Sequence, residues 1–258
     1  MGSNEVLIAL GLTLFAGLST GIGSTIAFFA KRTNTKFLSI ALGFSAGVMI
    51  YVSFVEIFFN AKDSLSVEYG ESIGHLITVA SFFGGMLIIA VIDKLVPSFE
   101  NPHEARHIEE TFEGIEKRKK QKLLRVGVMS AFAVGIHNFP EGMATFFASL
   151  QDLSLGLPIA IAIAIHNIPE GIAVSIPLFH ATGDRKKAFK YSFLSGLSEP
   201  LGAIVGYLIL MPFMNNTIFG IIFAAVAGIM VFISIDNLLP AAREYGEAHL
   251  SLYGLIGG

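Results

Sequence analysis

An all-α, polytopic membrane fold is predicted by three features of this chain. Its 258 residues are 53% hydrophobic and only 14% charged, with a mean hydropathy of +0.68, whereas soluble domains carry about 25% charged residues. The apolar residues gather into long stretches, each exceeding the roughly 17 residues that a spanning helix needs. The positive charges are sorted into alternate loops, which is the signature of an inserted chain.

The first stretch, 6–30, follows an amino terminus without Lys or Arg and is too long for a signal-peptide core, so it reads as a retained span. Further stretches at about 37–60, 73–97, 126–149, 156–179, 189–211 and 217–239 make seven spans. After Pro240 a polar turn is expected to His249, and Leu250 to Gly258 reads as the start of an eighth span that stops short. Sixteen of the seventeen Lys and Arg residues fall on one side of this arrangement and only Lys62 on the other. By the positive-inside rule the amino terminus is outside and the loop at about 98–125 is cytoplasmic. The whole chain, 1–258, is expected to form a single transmembrane domain. In the loop, a short helix is expected after Pro102. His103 and His107 share a face there, but two aqueous imidazoles without further ligands bind a metal weakly.

One six-residue phrase occurs twice: His137-Asn138-Phe139-Pro140-Glu141-Gly142 and His166-Asn167-Ile168-Pro169-Glu170-Gly171. Ionisable groups at membrane depth cost a few kcal/mol and mark ion or substrate sites by default. On a helix the first and fifth positions stack on one face, with the Asn beside them. Each Pro removes an amide hydrogen and frees the carbonyl of Ile136 or Ile165, which is tolerated in a membrane only against protein or a polar cavity. The two spans are consecutive, hence antiparallel neighbours. At 1.5 Å per residue His137 lies roughly 18 Å from the inner edge at Arg125, and His166 roughly 12 Å from the outer edge at Pro158. Both phrases therefore sit near mid-bilayer, the place where inverted repeats of transporters meet.

Glu199, followed by Pro200, adds a third carboxylate from the sixth span. Without cysteine, any metal must be held by imidazole, carboxylate, amide or carbonyl groups. Mixed nitrogen and oxygen donors suit Zn²⁺, Fe²⁺, Mn²⁺, Co²⁺ or Ni²⁺ better than Ca²⁺, Mg²⁺ or Cu⁺. Charge counting admits one divalent cation or two.

With these motifs in view, the sequence resembles the ZIP family of divalent-metal transporters. The likeness rests on the span order, the long third loop, the outer amino terminus and the paired His-Asn-x-Pro-Glu-Gly phrases in the fourth and fifth spans, and it covers nearly the whole chain. It implies uptake of Zn²⁺, with Fe²⁺, Mn²⁺, Co²⁺ or Cd²⁺ as companions, through an eight-span helical fold of the cell inner membrane, often as a homodimer. It also implies that the metal is transported substrate and not a cofactor, and that no nucleic acid is a partner. The family's two-metal transport site, carried onto this sequence, assigns His137, Asn138, Glu141, His166, Asn167, Glu170 and Glu199. One departure concerns the seventh span, where relatives often carry His-Glu and this chain has Asp236-Asn237, so the usual exit imidazole is missing.

Two other classes fit the same residues less well. A membrane di-metal carboxylate enzyme also uses Glu and His in a bundle core, but favours Glu-x-x-His over the order found here. A metal sensor would use the His103/His107 loop as its output. Among the remaining intramembrane acids, Glu56 with Asn60 is placed either along the pathway or at the outer interface, and Asp93 beside Lys94 reads as a snorkelling charge pair.

Overall fold

A computed structural model describes residues 3–29, 34–95, 112–245 and 248–258, and these are almost entirely helical. The helices are α1 (Ser3–Phe29), α2 (Thr35–Tyr69), α3 (Glu71–Leu95), α4 (Phe112–Gln151), α5 (Leu153–Thr182), α6 (Arg185–Phe213), α7 (216–245) and α8 (Ala248–Gly257). The helix expected after Pro102, and with it His103 and His107, lies outside the described residues, as does the side chain of Asp93.

Local chemistry sets the helix ends. Asn34, Asp152, Asp184 and Asn215 each stand before a helix and accept from the amides of its first turn, satisfying donors that have no partner within the helix. At Asp152 the Ser154 amide, 2.8 Å away, holds the carboxyl below its ordinary range. Gly70 (φ +79°) and Gly183 (φ +67°) end α2 and α5 in backbone that side chains rarely adopt.

Six of the described helices are long and apolar enough to cross a membrane. They match six of the seven expected stretches. α4 is not among the six; in its sequence, charged residues fill the first half, and His137, Asn138, Pro140 and Glu141 interrupt the apolar second half. It also begins at Phe112 and not near 126, so the end of the expected loop is helical. A second difference lies at Pro240, where a break was expected. α7 instead continues to Tyr245, with a wider π-helical turn at Ser234–Leu238 just before the proline. α2 carries a similar turn at Ser53–Phe58 without any proline. α8 is only ten residues long and packs along α2.

The eight helices form two groups of four, each arranged about an approximate two-fold of its own. In the first group, α1 packs on α5 as α6 packs on α4. Gly23 meets the Ile168 carbonyl as Gly202 meets that of Phe139, and Gly171 meets the Thr20 carbonyl as Gly142 meets that of Glu199; Gly17 and Gly196 meet each other's carbonyls. These pairs keep one constant sequence offset between α1 and α6 and another between α4 and α5. In the second group, Gly47 of α2 meets Leu255 of α8 as Gly228 of α7 meets Phe82 of α3. Small residues let helix backbones approach within lipid, where no hydrophobic effect drives helices together. Outward faces carry large exposed apolar side chains, including Leu76, Phe83, Leu87 and Leu208, as a lipid-facing surface requires.

Candidate metal site

α4 and α5 cross with their repeated phrases level and in opposite sense. His137 of α4 faces Glu170 of α5, Nε2 to Oε2 3.5 Å, and His166 of α5 faces Glu141 of α4 at the same 3.5 Å. The antiparallel register produces this exchange: four residues separate His from Glu in each phrase, so each imidazole meets the other helix's carboxylate. At 3.5 Å the pairs are in ion-pair range but too long for good hydrogen bonds. Two ligands of a tetrahedral Zn²⁺, each bonded at about 2.0–2.1 Å, stand about 3.3 Å apart, so each pair needs only a small closure to share a cation. Among the described residues no three His, Asp or Glu side chains already stand together as a ready-made ligand group.

Glu199 arrives from α6. Its Oε1 accepts from the Asn167 amide nitrogen, which also donates to the Ala16 carbonyl of α1 at 2.9 Å. Ser45 of α2 donates to the His166 carbonyl at 3.2 Å, linking the second helix group to the phrase of α5. All seven residues singled out from the sequence are buried, none more than 4% exposed.

Polar satisfaction separates this place from the rest of the protein. Among the described residues thirteen buried side-chain nitrogen and oxygen atoms have no hydrogen-bond partner, and eleven belong to these seven residues. Each such atom costs about 1–3 kcal/mol when buried, and unpaired buried groups in native proteins call for an ion, water or mechanism. Imidazole nitrogens and carboxylate oxygens converging unpaired between antiparallel helices are the donor set of a borderline-soft divalent cation.

The model of the family described as "ZIP Zinc transporter" matches residues 93–258. The chain belongs to the ZIP family. It is 64% identical to the zinc transporter ZupT of Oceanobacillus iheyensis over 99% of this chain and 95% of that protein. It is 63% identical to the ZupT of Lysinibacillus sphaericus, covering 98% and 94%, and 60% identical to that of Clostridium perfringens, covering 99% and 93%.

Other candidates fall outside this constellation. Glu56 is half-buried in the π-helical turn of α2, and Asn60 donates to its backbone carbonyl at 2.6 Å and not to its carboxylate. Asp236 is exposed on the corresponding turn of α7. Sequence reading missed Thr20, Ser45 and the Ala16 carbonyl. α1 bears no charged residue near Thr20 to draw attention to it; the spacing of Gly17, Thr20 and Gly23 matching Gly196, Glu199 and Gly202 was the available signal.

Proposed function

We propose that this protein carries divalent metal cations, Zn²⁺ foremost and Fe²⁺, Mn²⁺, Co²⁺ or Cd²⁺ as companions, across the cell inner membrane into the cytoplasm. His137, Glu141, His166 and Glu170 bind the cation, Glu199 adds a third carboxylate, and Asn138 and Asn167 contribute neutral amides. The observation that carries this reading is the crossed pairing of two imidazoles and two carboxylates, unsatisfied and buried, between antiparallel helices. The family model and the relatives are transporters, so the di-metal carboxylate enzyme and the sensor give way to a carrier, and the metal is cargo.

A cation entering from outside exchanges its water for imidazole and carboxylate at mid-bilayer. Because α4 and α5 each contribute both ligand types, binding draws the two helices together and offsets the cost of the unpaired buried groups. Release follows when the first helix group rocks against the second, as in other repeat-built carriers. The neutral amides keep the site from holding its ion too tightly for turnover. The charge bias of the loops supports an outer amino terminus and a cytoplasmic loop at about 98–125. We further assign the chain to one transmembrane domain, 1–258, working as a homodimer, as the family resemblance implies.

Proteoliposomes containing only the purified protein test the activity. Zn²⁺ is expected to accumulate inside, reported by an enclosed zinc dye, whereas empty liposomes stay dark. Metal binding without flux would contradict the carrier.

A further inference from the structure

Among the described residues two buried atoms without partners lie outside the seven site residues, and one of them is Thr20 Oγ1, on a side chain with no solvent exposure. Its place follows from the approximate two-fold. The Glu199 carbonyl meets Gly142 at the end of the first phrase, and the Thr20 carbonyl meets Gly171 at the end of the second. One turn on, Gly202 meets Phe139 and Gly23 meets Ile168; one turn back, Gly196 and Gly17 meet each other. The operation that exchanges the phrases therefore exchanges Glu199 with Thr20. Glu199 reaches across to Asn167; the same operation pairs the position of Thr20 with Asn138, and Thr20 Oγ1 itself lies beside Gly196 of α6. Both amide atoms of Asn138 are also without partner, whereas the Asn167 nitrogen is held by Glu199 and Ala16.

We propose that the Thr20 hydroxyl and the Asn138 amide form a neutral half of the cation site, opposite Glu199 and Asn167, that holds the cation through a water it keeps. This rests on the metal-site reading above. Threonine is shorter than glutamate by the carboxylate's reach, so a water spans the distance that a carboxylate oxygen covers on the other side. A water-bridged ion keeps most of the strength of a direct contact. The site then has three carboxylates where strict symmetry would give four, and one face that releases its ion readily. That asymmetry is a means of avoiding a trap in a binding site that must empty at each cycle.

Uptake of Zn²⁺ into proteoliposomes tests the assignment, with each variant's membrane level and detergent-solubilised elution profile measured alongside. Thr20→Val keeps the shape and removes the hydroxyl; losing about 1–1.5 kcal/mol of hydrogen bonding raises KM roughly five- to tenfold. Thr20→Ser, which restores the oxygen, recovers at least half of the uptake. A side chain that only packs gives the opposite result, since replacing an unpaired buried hydroxyl by an isosteric methyl is neutral or stabilising. The exchange Thr20→Glu with Glu199→Thr rebuilds the same ligand set on the other side, and recovers uptake that Glu199→Thr alone loses. Wild-type KM in Thr20→Val, or no recovery in a well-folded exchange variant, overturns the inference. Full uptake by Glu199→Thr alone would instead count against the metal site itself.

Discussion

Replacing Glu170 with Ala is expected to lower Zn²⁺ uptake by at least two orders of magnitude while the protein still inserts. The carboxylate faces His137 at 3.5 Å in a fully buried setting. Removing one partner of a buried pair costs about 3–5 kcal/mol, and each 1.4 kcal/mol is about tenfold in binding. Initial rates in proteoliposomes, normalised to protein, provide the measurement. Glu71→Ala is the matched control: its carboxylate lies 3.8 Å from Lys62 and is largely exposed, and exposed pairs contribute about 1 kcal/mol or less. Uptake by that variant stays within about twofold of wild type. Unimpaired uptake by Glu170→Ala would remove Glu170 from the site.

A second large effect is expected from a single methyl group. An added Cβ at Gly142 would overlap the Glu199 carbonyl, and one at Gly202 would overlap that of Phe139, so α4 and α6 would have to part where Glu199 enters the site. Overpacking costs about 1–3 kcal/mol even where side chains can shift; here the obstacle is backbone. Gly142→Ala and Gly202→Ala should each lower the melting temperature in detergent and cut uptake at least tenfold. Gly84→Ala is the contrast, because nothing lies within 4 Å of a Cβ there. Alanine is the better helix former by about 1 kcal/mol, so that variant should melt no lower than wild type. Equal melting of all three would mean that the α4–α6 contact is not close in the folded protein.

The repeated phrase was legible because its cost is local: histidine, glutamate and proline inside apolar runs conflict with the lipid whatever the surrounding fold. Their antiparallel meeting followed from two consecutive spans and a short loop. Pairing across helices, His137 with Glu170 and His166 with Glu141, needed the vertical register of α4 against α5, which no single helix encodes. Pro240 misled because proline was weighed by its usual effect on an α-helix, whereas α7 runs on to Tyr245 with a π-helical turn just before that proline. Six spanning helices stand out by hydropathy among the described residues, and α4, whose phrase sets His137, Asn138, Pro140 and Glu141 in an apolar run, is not one of them. Thr20 was silent because an uncharged residue in an apolar helix conflicts with nothing; only its equivalence to Glu199 gives it meaning.

The central claim is that two oppositely running phrases share one cargo cation. Zinc-edge anomalous diffraction from crystals grown with Zn²⁺ tests it directly. A peak between α4 and α5, about 2.0–2.2 Å from an imidazole nitrogen of one phrase and a carboxylate oxygen of the other, is the expected result. Zinc bound elsewhere, with His137, Glu141, His166 and Glu170 left untouched by the metal, would contradict the account.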